Sequence, residues 1–338
     1  MASTWGENIK LSIFGGSHTE AIGVVLDNLP PNEKIDMEKI RVQMARRAPG
    51  KDKTATTRLE ADEPQVLSGL FNGVTTGAPL AAIIANTNTR SKDYSDLKIH
   101  PRPGHADYTA SVRYNGANDI RGGGHFSGRL TACLVFAGAV CRQILERRGI
   151  TIGAHAYAVS SAKDTPFDPV NVSKDDLNAL NTRFFAVNFP EAEEKMRAEI
   201  EAARLDADSI GGIENVFASI LYGIPAVKGV EFGAGFDVAC MRGSENNDAF
   251  YYDENGLVRT KTNNAGGILG GITTGMPILF RIAVKPTPSI GREQHTVNLT
   301  TKTNADLTIH GRHDPCIVPR AIPVAEAAAA LALMDLLR

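Results

Sequence analysis

Cysteine is sparse in this chain, and it forms no motif. Cys133, Cys141, Cys240 and Cys316 lie far apart without a CxxC spacing. Neither a zinc site nor a disulfide framework is indicated, and reduced thiols in a cytoplasm fit best. An excess of one charge sign is also lacking: 36 Lys and Arg against 38 Asp and Glu leave a net charge of −2. No overall basic field therefore recruits nucleic acid, and any positive patch must be local. No apolar run reaches membrane-spanning length. The start, MASTWGENIKLSIFGGSH, has no basic segment followed by an apolar core and a cleavage site, so no secretory signal is read there. GxSxG and GxxxxGK[ST] are missing, which removes support for a hydrolase elbow or a P-loop kinase. No His/Cys/Asp cluster has metal-ligand spacing, so no metal is expected.

What is present is a chain of 338 residues, 43% hydrophobic, long enough to bury a substantial core. Its chemistry concentrates between Arg102 and Gly128, RPGHADYTASVRYNGANDIRGGGHFSG. This stretch holds His105, His125, Asp107, Arg102, Arg113, Arg121 and the run Gly122–Gly124. Glycines let backbone N–H groups approach a phosphate or carboxylate, a following helix start adds partial positive charge, and arginines supply forked donors. Read locally, the same residues also fit a glycine-rich surface loop. The run does not follow a hydrophobic strand, which counts against a dinucleotide fold. Elsewhere, His18, His105 and Asp314 are candidate proton-transfer groups. Arg47, Arg58, Arg102, Arg121, Arg129 and Arg312 are candidate anion clamps. From residue types alone, the chain is an enzyme acting on a small molecule with several negative charges.

Ile9, Leu11 and Ile13 alternate as in a half-buried strand, residues 22–29 read as a second strand, and 65–71 and 80–85 read as two more. Asp36 is an N-cap for a helix carrying Met37, Ile40 and Met44 and ending at Arg46-Arg47. From Ala132 to Cys141 every residue is apolar or glycine, and Ala321–Leu337 is similar. Helices apolar all round must be covered on all sides, so a central helical layer between sheets is expected. Strands are expected at 150–158, with His155 a packed or surface residue, and at 213–222 and 278–284. The polar 161–210 segment reads as peripheral, with an amphipathic helix near Glu191–Leu205; 263–275 reads as a glycine-rich block, and 291–310 as polar and mobile.

Several longer motifs stand in a fixed order: FGGSH (14–18), RRAPG (46–50), RPGHADYT (102–109), DIRGGG (119–124), NNAGGILGGITTG (263–275), KPTPSI (285–290) and GRHDPC (311–316). Together they resemble chorismate synthase over nearly the whole chain. The resemblance implies an α+β fold, a single-domain sandwich over 1–338 with buried apolar helices between antiparallel β-sheets. It implies 1,4-anti elimination of phosphate from 5-enolpyruvylshikimate 3-phosphate to give chorismate. The implied cofactor is reduced FMN, with NADPH entering only indirectly for flavin reduction, whether by this chain or by an external flavin reductase. A cytoplasmic homotetramer without nucleic-acid or membrane partners is also implied. By resemblance, His18 protonates the departing phosphate, His105 sits near the flavin N1 region, Asp314 assists flavin N5 in removing the ring proton, and Ser17 and Ser127 relay protons. FMN contacts would come from His125, Phe126, Ser127, Ala226, Gly270, Lys285, Pro286, Thr287, Pro288, Ser289 and Arg312. Substrate or NADP anions would meet Arg47, Lys53, Arg102, Arg121 and Arg129.

The chain also departs from the family pattern. Many members read GGGRSSARET where this chain reads GGGHFSGRLT, which replaces an arginine with His125 and a serine with Phe126. FGESHG becomes FGGSHT, and the third arginine of RRRPG is Ala48. A catalytically retired homologue that binds FMN or a phosphorylated ligand is the alternative these changes raise. Retention of both histidines and Asp314 favours an active enzyme.

Overall fold

Ile22, Val24 and Leu26 alternate along Ala21–Asp27 and point their apolar side chains to one face. Their partners across the antiparallel ladder are Ile84, Ala82 and Leu80 of Leu80–Ala85, also buried. Period-two burial of this kind pins register, because a one-residue slip would turn the whole set to solvent. The computed structural model describes residues 4–50, 56, 60–88, 99–102, 105–209, 212–214, 218–269, 272–309 and 314–337. In the first sheet the strand order is Thr4–Trp5, Lys10–Gly15, Ala21–Asp27, Leu80–Ala85, Pro64–Ser68. A second antiparallel sheet runs Val227–Phe232, Phe280–Val284, Gly212–Glu214, Ala158–Val159, Ala162–Lys163.

The helices are α1 (Met37–Arg47), α2 (Asp107–Arg113), α3 (Thr131–Arg147), α4 (Lys174–Leu180), α5 (Pro190–Leu205), α6 (Ala218–Leu221), α7 (Gly243–Asn246) and α8 (Val318–Leu336). Every residue of α3 from Ala132 to Leu145 is buried. α3 lies against the first sheet, α8 lies against Gly212–Glu214 of the second, and the two helices pack on each other. They cross where a Cβ on Gly138 would stand 2.2 Å from Ala327 Cα. The fold is thus the expected α+β sandwich, sheet–helix pair–sheet. Gly128–Arg147 has the length and apolarity of a membrane span, yet 89% of that window is buried inside the protein, as suits a core helix.

Two charges break the apolar surface of the helix pair. Glu326 of α8 accepts from Arg46 Nη1 at 2.5 Å, from Arg142 Nη1 at 3.2 Å and from the Ala154 N–H at 3.0 Å. Arg46, Arg142 and Glu326 are all nearly inaccessible to water, so this triad joins α1, α3 and α8 through the core. At the other end, Asp335 accepts the N–H groups of Asn8 at 2.6 Å and Ile9 at 2.7 Å, closing the N-terminal segment onto α8.

Three expectations are corrected. The 150–158 segment forms a strand only at Ala158–Val159. Upstream its backbone groups are satisfied by side chains and a crossing loop: Ile152 O accepts from Asn181 Nδ2 and Arg142 Nη2, and the Ala154 N–H goes to Glu326. His155 is a core residue whose Nδ1 lies 2.9 Å from Asp164. In 213–222, a strand at Gly212–Glu214 gives way to α6, because a short apolar run fits either state and tertiary packing decides. The 291–310 segment, expected to be mobile, forms a hairpin of Gln294–Asn298 and Thr303–Leu307. It is anchored by Thr296 Oγ1 donating to Pro101 O at 2.6 Å and Leu299 N–H donating to Ile99 O at 2.9 Å. α5 extends over Pro190–Leu205 and buries Ala192, Met196 and Ile200, while 263–275 makes a short hairpin, Ile268–Leu269 with Ile272–Thr273.

Candidate active site

Strand Lys10–Gly15 delivers the first functional loop. Thr19 Oγ1 accepts from the Gly16 N–H at 3.0 Å, and Asn86 Nδ2 donates to the carbonyls of Gly16 and Thr19 at 3.0 and 2.8 Å. Held from both sides, the turn buries Ser17 and His18. Ser17 N–H donates to Gly124 O at 3.2 Å, Ser17 Oγ donates to Arg121 O at 3.1 Å, and the same oxygen lies 3.2 Å from His18 Nδ1.

The glycine run is where separate loops meet. Gly122, Gly123 and Gly124 have φ of 59°, 86° and 52°, a left-handed region that suits glycine. A Cβ on Gly122 would fall 2.1 Å from His18 Nδ1 and 2.5 Å from Ser17 Oγ. A Cβ on Gly123 would fall 3.0 Å from His105 Cε1 and Nε2. Consecutive glycines therefore face the two histidines, which are 87 positions apart in the chain, and the space where side chains would stand is left to them.

His105 is held from behind by a buried network. Its Nδ1 lies 2.7 Å from Asp107 Oδ1, and Arg102 grips the same carboxylate with Nε and Nη2, both at 2.7 Å. The charge-assisted bonds from Arg102 and His105 overcome burial and hold the Asp107 carboxyl well below the usual carboxylate range. Arg102 Nη1 donates to Ser289 Oγ at 3.0 Å, tying this network to the 285–289 segment.

Beneath the loops lies a second charged belt. Arg47 Nη1 donates to Asp62 Oδ2 at 2.7 Å, Arg129 Nη1 pairs with Asp62 Oδ1, and Arg129 Nε reaches Asn86 Oδ1 at 3.0 Å. Burial alone would raise the Asp62 pKa, but the two guanidiniums outweigh it and lower it. Burial pulls Arg129 below its ordinary value, with Asp62 opposing. Arg47 O accepts from Arg320 Nε at 2.9 Å, and Arg320 Nη1 donates to Asp314 Oδ2 at 2.5 Å. The other Asp314 oxygen accepts the Thr56 N–H at 2.8 Å.

The 285–289 segment leaves strand Phe280–Val284 with the Lys285 N–H donating to Ala226 O at 2.9 Å, where Ala226 itself takes a φ of 75°. Burial, with Lys228 nearby, lowers the Lys285 pKa. Among the described residues, Thr287 Oγ1 is buried without a hydrogen-bond partner. In the altered loop, His125 Nδ1 lies 3.0 Å from Gly15 O, Phe126 packs on Tyr114 with ring centroids 6.1 Å apart, and Ser127 Oγ accepts the Arg129 N–H at 3.2 Å.

Ser17, His18, Arg102, His105 and Ser289 are thus brought together around Gly122–Gly124. Arg47 and Arg129 lie under them on Asp62, and Arg121 is half exposed on Asp119. Lys53, Gly270 and Arg312 lie outside the described residues. Reading the sequence missed Asp62, Asn86 and Arg320, and it gave Asp107 no role. The usable signal was physical: each arginine turned into the protein needs an acid, and Asp62 and Asp107 are the acids that Arg47, Arg129 and Arg102 reach.

A family model for chorismate synthase matches residues 9–337. Chorismate synthases of Thermococcus gammatolerans and Pyrococcus abyssi are 44% and 45% identical, each covering 98% of this chain and 96% of the relative. That of Dehalococcoides mccartyi is 41% identical over 99% of this chain. A crystal structure of chorismate synthase superposes with a TM-score of 0.74 over 98% of this chain and 92% of its own, at 24% identity, which speaks to the fold. Sequence likeness of this extent, from one end of the chain to the other, makes it a member of the chorismate synthase family.

Proposed function

We infer that this chain carries out the family's reaction around Gly122–Gly124, with His18 and His105 as its proton-transfer groups. The reaction is phosphate elimination from 5-enolpyruvylshikimate 3-phosphate to give chorismate, a carbon–oxygen lyase step in the shikimate pathway that leads to the aromatic amino acids. The family requires reduced FMN without net redox change. The observation that carries the inference is the pair of imidazoles on consecutive glycines.

The residues fit that cofactor. A flat anionic ligand needs backbone approach, donors and cationic charge; the chain offers three left-handed glycines, the buried Thr287 hydroxyl without a partner among the described residues, and Lys285 beside Lys228. His125, Phe126, Ser127, Ala226 and Lys285–Ser289 would hold it, with Gly270 and Arg312 carried by the family resemblance. When bound, reduced FMN supplies electron density that assists loss of phosphate.

The protein's own part is proton handling and charge. His18 gives its proton to the departing phosphate, and Ser17 Oγ, within hydrogen-bond distance of Nδ1, passes a proton toward it. His105 presents Nε2 at the glycine run. Asp314, fixed by Arg320 and the Thr56 N–H, would assist removal of the ring proton. Arg121 is the half-exposed cation for a substrate anion, while Arg47, Arg102 and Arg129, each on a buried acid, supply a positive field from beneath. Lys53 completes the set by resemblance, and Ser127 is a second relay. Anaerobic turnover with chemically reduced FMN tests the assignment. His18→Ala and His105→Ala should each lower kcat by roughly 10²- to 10⁴-fold while FMN binding is retained. Variants that turn over like the parent enzyme would sink it.

The chain further acts as one domain, assembles as a homotetramer and works in the cytoplasm, with NADPH entering only indirectly, for flavin reduction by this chain or by an external reductase. Support for assembly comes from apolar side chains left on the surface: Phe236 is 80% exposed, Tyr252 76% and Phe250 62%. Phe250 and Tyr252 stand two apart on the strand Phe250–Tyr252 and so share one face, and adjoining exposed aromatics mark interaction surfaces.

A further inference from the structure

We propose that Asp107 is a positioning residue for the reaction: it fixes the His105 imidazole as the Nδ1-protonated tautomer and so reserves Nε2 for chemistry at the glycine run. The proposal rests on the assignment of proton transfer to His105. The geometry leaves little choice. Asp107 Oδ1 takes Arg102 Nη2 at 2.7 Å and His105 Nδ1 at 2.7 Å, and Oδ2 takes Arg102 Nε at 2.7 Å and the Arg102 N–H at 3.0 Å. Three donors from Arg102 occupy the carboxylate, the forked pairing with a buried guanidinium holds it ionised, and His105 Nδ1 stands at the acceptor site that remains.

An ionised carboxylate is an acceptor, so the proton between it and the imidazole belongs to Nδ1. Arg102 Nη2 also stands 3.1 Å from Nδ1. One of its two hydrogens goes to Asp107 Oδ1 at 2.7 Å, and its 3.1 Å approach to Nδ1 is longer than the 2.7 Å of the carboxylate, so the carboxylate contact sets the proton's place. Among the described residues, the charged groups facing His105 are Asp107 and Arg102; beyond Gly122 stand His18 and Ser17. The side chain of Asp107 is 3% exposed and that of Arg102 4% exposed, whereas that of His105 is 16% exposed. The brace is therefore dry and the imidazole edge is open. Arg102 carries the brace onward to Ser289, so the segment expected to hold the flavin and the histidine expected to act beside it share one rigid unit.

The test uses the full-length protein in two arms. In protein labelled with ¹⁵N-histidine, resonances assigned by loss in His105→Gln should show a pyrrole-type Nδ1 and a pyridine-type Nε2 for the neutral ring. The reverse pattern would overturn the proposal. In Asp107→Asn, Arg102 brings two donors to the Oδ2 position and one to the Oδ1 position, so the amide oxygen keeps the Oδ2 side and its NH₂ turns toward Nδ1. The tautomer should then invert, and kcat should fall at least about tenfold and at most by the roughly 10²- to 10⁴-fold that acid–base catalysis supplies. The dissociation constant for oxidised FMN should stay unchanged. Loss of FMN binding in step with kcat, with the tautomer retained, would mean that Asp107 only holds the fold, and would also overturn it. A parent enzyme that shows the Nδ1 tautomer but no turnover would contradict the lyase assignment alone, so the two failures are distinguishable.

Discussion

Asp62 illustrates how single residues carry this site. It sits in a left-handed backbone conformation, φ 51°, with its carboxylate wholly buried between Arg47 and Arg129. Nothing in its neighbourhood in sequence, EADEP, distinguishes it from any other surface acid. The arginines were legible as residue types suited to anions, whereas their buried partners were not, because pairing is set by tertiary distance. Since the Asp62 carboxyl is held below its unfolded value of about 4, it contributes stability above that pH, and the contribution is lost as pH falls through the folded value. Asp62→Asn should therefore cost about 3–5 kcal/mol near neutral pH by leaving two buried guanidiniums uncompensated. In urea titrations the gap between parent and variant should narrow below about pH 4. A gap that widened toward acid would contradict this account.

Elements were readable where a local pattern decides and unreadable where packing decides. Asp36 caps α1 through the Glu38 N–H, and Ile40 and Met44 are buried on its inner face, as the spacing implied. Leu80–Ala85 matches the apolar run that predicted it. The two helices apolar all round became the middle layer, since only sheets on both sides could cover them. The 150–158 segment defeated the same reasoning: its alternating pattern is that of a strand, but its backbone partners come from Asn181, Arg142 and Glu326, residues distant in sequence. The basic pair Arg46-Arg47, read as the end of α1, is turned inward. Glu326→Ala tests that view of the helix layer. It strands Arg46 and Arg142 between α1, α3 and α8, and should lower unfolding free energy by about 3–5 kcal/mol, read by urea denaturation. A loss under about 1 kcal/mol, as for an exposed pair, would show that the triad is not holding the helices.

At the scale of the molecule, the fold works as a frame that brings five distant segments to one place. The turn at 15–19, the acid at 62, the 102–107 loop, the glycine run and the 285–289 segment come from both sheets and the connections between them, and hydrogen bonds link them around the helix pair. The exposed aromatics around 236–258 lie on a different part of the chain. Light scattering on a sizing column should give the mass of four chains, and Phe236→Asp with Tyr252→Asp should lower it; a monomer in the parent protein would refute the assembly. The central claim, that the glycine run assembles the two histidines into one site, is tested most directly by anaerobic phosphate release in Gly122→Ala beside Gly128→Ala. A Cβ at 122 meets His18 and Ser17, whereas one at 128 meets nothing within 4 Å, and the family pattern quoted above carries alanine at that place. Gly122→Ala should lose most of its turnover with the fold intact and Gly128→Ala should keep it; equal rates in the two variants would contradict the account.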